Sequence, residues 1–82
     1  MEKNSGGQQH FLDITAYVCP MTFVRARLAL ERLASGERLV ILLNGGEPLE
    51  NLPRSLAELG HCVISLVPAD AAGTHRLTVE RA

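Results

Sequence analysis

With 82 residues the chain has room for one domain and one modest core, and none for a second domain. Its hydrophobic content of 46% is too high for disorder, and a net charge of −1 offers no footprint for nucleic acid or an anionic membrane. Two cysteines make neither a disulfide framework, a zinc site nor a Cys-x-x-Cys motif, and three scattered histidines do not suggest a metal site.

Residues 1–9 are polar, with nothing to bury, and read as a flexible tail without a signal-peptide core. No apolar run approaches a membrane span, so the expected location is the cytoplasm, in a reducing compartment. Residues 10–82 form the single domain. A first strand is expected over 10–16, with Leu12 and Ile14 on one face and Asp13 and Thr15 on the other.

The chain turns at Val18-Cys19-Pro20-Met21-Thr22, where the strand pattern gives way to helical spacing. Pro20 suits the first helical position, where its missing N–H is not needed, which places Cys19 at or next to the N-cap. Unpaired backbone N–H groups and the positive end of the helix dipole both favour thiolate over thiol there. The competing reading is a buried, inert cysteine. The proline after Cys19 and its position between strand and helix favour an edge over a packed face.

The first helix is expected over 20–34. Phe23, Ala26, Leu30, Leu33 and Ala34 form its buried stripe, and Arg25, Ala29 and Arg32 lie opposite. Gly36 suits its left-handed C′ position. Glu37 to Leu43 is an almost unbroken β-favouring run, as in a central strand. Asn44 to Pro48 reads as a strand-to-helix turn; its paired glycines also allow an anion-binding nest, but the phosphate-loop spacing is absent.

A short second helix has Asn51 as its cap, Pro53 in its first turn and Gly60 at its end, with Leu52, Leu56 and Leu59 buried. Cys62 to Pro68 is the third strand, with Cys62, Ile64 and Leu66 on the core face. After a turn at Ala69–Thr74, His75 to Arg81 is the fourth, with Leu77 and Val79 inward. The order β-α-β-α-β-β with right-handed parallel crossovers gives an α/β two-layer sandwich, both helices on one sheet face.

Leu12-Asp13, Cys19-Pro20-Met21, Arg25-x-Arg27, Gly36-Glu37 before an apolar strand and Leu52-Pro53 together resemble the TusA/SirA-like small sulfur-carrier family over about residues 11–81. The resemblance implies a mixed four-stranded sheet of order 1-2-4-3, as in the C-terminal domain of the third bacterial translation initiation factor. It also implies that Cys19 carries sulfur as a persulfide. The sulfur would come from a protein donor of the cysteine desulfurase or rhodanese type and go to a protein acceptor, without cofactor or metal. The family's Cys-Pro-x-Pro motif is kept at Cys19 and Pro20 and broken at Thr22, which has an N–H where none can be bonded within the helix.

The site expected from the sequence is therefore Cys19, with Pro20, Met21 and Thr22 at the helix start. Arg25 and Arg27 are either a docking surface for an acidic partner or solvated charge. Met21 is either an apolar contact for a partner or core filling. Sulfur exchange needs one accessible, moderately acidic thiol and a docking surface, with no acid-base constellation, and the expected state is a monomer. The alternative is a non-catalytic protein-interaction module with a changed partner. An RNA-binding module is disfavoured by the charge balance and the scarcity of aromatics.

Overall fold

The computed structural model describes residues 9–18, 20–70 and 72–82. Most of the expected tail therefore lies outside the described residues, and so does Cys19. Six elements follow in chain order: β1 (Gln9–Asp13), α1 (Met21–Glu31), β2 (Arg38–Asn44), α2 (Glu47–Glu58), β3 (Cys62–Pro68) and β4 (Thr74–Glu80). The sheet order is β1-β2-β4-β3, with β1 parallel to β2 and both β2/β4 and β3/β4 antiparallel. Fold class and strand order agree with the sequence reading.

The apolar run of β2 is explained by its place between β1 and β4. Leu39, Ile41 and Leu43 point to the helix layer and are buried with Leu77 and Val79 of β4, Ala26 and Leu30 of α1, and Leu52 and Leu56 of α2. Both helices thus share one sheet face. The opposite face carries the Arg38–Glu80 ion pair at 3.3 Å, and Phe11 is exposed there on β1.

Several boundaries differ from the expectation, each for a local reason. Strand β1 already includes Gln9 and stops at Asp13, whose carboxylate accepts the Thr15 N–H and forms a turn. Helix α1 ends at Glu31 with the Arg32 and Leu33 amides bonding three residues back. The Arg81 Nε–H donates to the Leu30 carbonyl at 2.9 Å, satisfying one of the helix's last acceptors. Ala34 is exposed, and the buried line of α1 runs through Thr22, Ala26 and Leu30, with Ala29 packed against it. Gly36 (φ +90°) is therefore not the helix's C′ residue. It is the third residue of the following turn, closed by the Glu37 N–H on the Ala34 carbonyl, where a type II turn needs positive φ.

Helix α2 begins a turn earlier than expected, with Gly46 rather than Asn51 as its N-cap and Pro48 rather than Pro53 in its first turn. The Glu50 N–H reaches the Gly46 carbonyl at 3.1 Å, a bond that Pro48 does not interrupt. Pro53 sits inside the helix, where it has no N–H for the Leu49 carbonyl. Gly60 does end α2: at φ +99° its N–H bonds the Ala57 carbonyl and that of His61 bonds the Leu56 carbonyl, the Schellman pattern.

Strand β3 departs most from expectation. A bulge between Val63 and Ser65 breaks its alternation. Cys62 pairs with Glu80 and so faces away from the helices, whereas Leu66 pairs with the buried Leu77. At the sheet edge, Cys62, Ile64 and Leu66 are all exposed, so Cys62 is not a core thiol. Leu59, at the C-cap of α2, is 47% exposed and also outside the core. Leu56→Ala should therefore destabilise the protein by about 2–5 kcal/mol, and Leu59→Ala by no more than about 0.5 kcal/mol. Urea unfolding of the two variants distinguishes this core from one with three equivalent leucines.

Candidate functional site

The connection from β1 to α1 is a sequence of hydrogen-bonded turns. The Ile14 N–H continues the sheet by donating to the Leu42 carbonyl at 2.9 Å, and the Ile14 side chain is buried. Asp13 Oδ1 accepts the Thr15 amide at 2.9 Å and its hydroxyl at 2.7 Å. From the end of β2, Asn44 Nδ2 donates to the Thr15 carbonyl at 2.8 Å, and the Tyr17 N–H returns to the Ile14 carbonyl at 3.1 Å. The Val18 carbonyl then accepts two amides, Met21 at 2.8 Å and Thr22 at 3.3 Å, and the Val24 N–H bonds the Pro20 carbonyl.

These bonds revise one expectation and complete another. Pro20 is the N-cap of α1, with φ −91° and ψ 2°, rather than its first helical residue. Having no N–H, it fits a turn in which the two amides after the cap, those of Met21 and Thr22, are used and its own is not required. Thr22 is not left with an unpaired N–H, because the Val18 carbonyl lies within its reach. Its residue is 2% exposed, so the place of the missing second proline is filled by a buried threonine. With the Met21 and Thr22 amides committed to Val18, the attraction of this helix end for an anion rests on the helix dipole more than on free N–H groups.

The described neighbours of Cys19 are open to solvent. Val18 is 76% exposed, Pro20 is exposed, and Met21 is exposed rather than used as core filling. Arg25 and Arg27 both have intramolecular partners. The Arg25 guanidinium lies over the Tyr17 ring at 4.5 Å from its centroid, and Arg27 pairs with Glu31 at 3.3 Å across one helical turn. Cys62 is remote: it opens β3 at one edge of the sheet, whereas this turn follows the end of β1 at the other edge.

No cluster of three or more metal-ligating side chains occurs among the described residues, and each histidine has a different neighbour. His10 Nε2 lies 3.5 Å from Glu37, His61 Nδ1 accepts the Ala82 N–H, and His75 Nδ1 lies 3.0 Å from the Gly73 carbonyl.

A family model described as sulfurtransferase TusA matches residues 10–81, from β1 past the end of β4. The chain belongs to the TusA family. Three relatives carry the name "putative sulfur carrier protein". That of Archaeoglobus fulgidus is 40% identical over 67% of this chain, and the match spans 62% of that relative's own length. That of Escherichia coli, TsuB, is 35% identical over 87% of this chain and 93% of its own. The crystal structure of a SirA-like protein from Desulfitobacterium hafniense superposes with a TM-score of 0.73 at 22% identity. The match covers 85% of this chain and 93% of that one, so the fold is shared.

Two features of the TusA-like turn escape the sequence reading, the Asn44 clamp and the Tyr17–Arg25 stack. Asn44 is hidden because it reads as a loop former, although it is the last residue of β2. Tyr17 is the chain's one tyrosine and stands two residues before Cys19, which was the available signal.

The Thr15 amide, and then its hydroxyl, hold the Asp13 carboxyl below the usual carboxylate range. The sign follows: the turn gains from ionised Asp13 above the ordinary value near 3.9 and loses that gain as pH falls through the lower folded value. An NMR titration should show Asp13 titrating below an ordinary aspartate. Thr15→Val should bring it only part of the way back, because the backbone amide remains.

Proposed function

We propose that the protein is a sulfur carrier that holds a persulfide on Cys19 and relays it between protein partners in the cytoplasm. The observation that carries this reading is the TusA family match over residues 10–81, which includes Cys19-Pro20 at the junction of β1 and α1. The names of the relatives support the same role.

The Cys19 thiolate attacks the terminal sulfur of a donor persulfide, of the cysteine desulfurase or rhodanese type. A sulfur–sulfur bond to Cys19 forms, the donor's own sulfur–sulfur bond breaks, and the donor leaves as a thiolate. In the second step an acceptor nucleophile attacks the outer sulfur and Cys19 leaves as the thiolate. The proton carried on the outer sulfur passes to solvent or the acceptor. Neither step needs an external oxidant, reductant, metal or cofactor.

Within this proposal the exposed Val18 and Met21 are the apolar surface that a donor or acceptor covers, and the chain acts as a monomer. Arg25 and Arg27 supply positive charge for an acidic partner surface. An ion pair at the rim of an interface acts mainly on encounter and salt dependence. The surrounding turn is bonded before any partner arrives, which limits the ordering that docking requires.

Incubation with a persulfide-loaded cysteine desulfurase, followed by intact mass, tests the reading. The wild type and Cys62→Ser should gain one sulfur atom, and Cys19→Ser none. Arg27→Glu should slow acceptance from the protein donor by about two- to fivefold at low salt and leave reaction with a small persulfide unchanged. Equal loading of Cys19→Ser would contradict the assignment. A wild type inert to protein donors and small persulfides alike would favour the interaction module.

A further inference from the structure

We infer that Tyr17 and Arg25 form a clasp that positions the cysteine-bearing turn on α1. This rests on the carrier reading for its functional meaning, and on contacts within the fold for its existence. Arg25 is one helical turn beyond Met21, and a helical side chain leans toward the N-terminus, so its guanidinium reaches back over the residues that precede the helix. There it lies 4.5 Å from the centre of the Tyr17 ring, well within cation–π range.

The ring is held independently of the arginine. Tyr17 is half-buried against the core, and its N–H is bonded to the Ile14 carbonyl at 3.1 Å. The next residue, Val18, supplies the carbonyl that receives the Met21 and Thr22 amides. The clasp therefore joins the second turn of α1 to the segment whose next residue after Val18 is Cys19. Among the described residues no carboxylate lies within ion-pair distance of Arg25, unlike Arg27 with Glu31 and Arg38 with Glu80. Among the described residues, the Tyr17 ring is the partner of the Arg25 guanidinium. The two arginines thus differ in role: Arg27 is a surface charge, and Arg25 is first a positioning residue.

A double-mutant cycle in a Cys62→Ser background tests the clasp. Tyr17→Leu, Arg25→Met and the double variant are compared by the rate of Cys19 alkylation with iodoacetamide across a pH series. Each single change should move the pH profile upward, and the double change should move it no further than the larger single change. The coupling should be about two- to fivefold in rate on the acid limb, the range expected of an exposed cation–π contact.

Tyr17→Phe keeps the ring and should restore the wild-type profile. In NMR spectra the Arg25 Nε proton should be shifted by the ring in the wild type and Tyr17→Phe, and lose that shift in Tyr17→Leu. Additive single effects, a wild-type profile for Tyr17→Leu, or failure of Tyr17→Phe to rescue would overturn the clasp, since a bare charge effect of Arg25 predicts additivity. Alkylation is independent of sulfur loading. Coupling in a chain that refuses donor sulfur overturns the carrier reading alone, and sulfur uptake without coupling overturns the clasp alone.

Discussion

The Val18 carbonyl, which receives both the Met21 and Thr22 amides, is the bond pair on which the site depends. It closes the turn in front of α1, places Pro20 at the cap, and commits two donors that a helix start ordinarily leaves free. The remaining bonds of the connection lead to it. Ile14 is tied to β2, Asn44 holds Thr15, and Tyr17 returns to Ile14. The buried layer of Leu39, Ile41 and Leu43 fixes the far side of that frame, so the turn stands on one of the two central strands of the sheet.

This construction suits the carrier role proposed above. Persulfide exchange needs a nucleophile that a partner can reach, and its chemistry is symmetric between receiving and giving sulfur. Val18 and Met21 are exposed on a backbone that the Val18 carbonyl and Tyr17 N–H bonds hold in place. The other cysteine, Cys62, is exposed and lies on the edge strand at the other side of the sheet, away from these turn contacts.

The sequence was most legible where one physical cause dominates. The unbroken apolar run of β2 meant a central strand, Gly60 meant a helix end, and the element order together with the family resemblance implied the observed sheet order. It was least legible where side chains at a distance decide. Spacing places Pro20 one residue too far into the helix, because the use of the Val18 carbonyl cannot be read from it. The stripe of α1 read from spacing holds at Phe23, Ala26, Leu30 and Leu33, but it omits Thr22, a polar residue in a core-facing position, and includes the exposed Ala34. Alternation puts Cys62 and Leu66 on one core face, because a bulge leaves no mark in a β-favouring run. The Tyr17–Arg25 stack joins residues eight apart across an irregular turn, a separation to which neither helical nor strand periodicity applies.

The hydrogen bonds of the β1–α1 turn require no partner, so the turn is folded in the free protein. Amide hydrogen exchange of the isolated chain measures this residue by residue. The Tyr17, Met21 and Thr22 amides should exchange far more slowly than in an unstructured peptide, even though first-turn amides of a helix are ordinarily unprotected. Exchange of these three at peptide rates, with β2 and β4 still protected, would show that the turn forms only when a partner binds and would contradict the account.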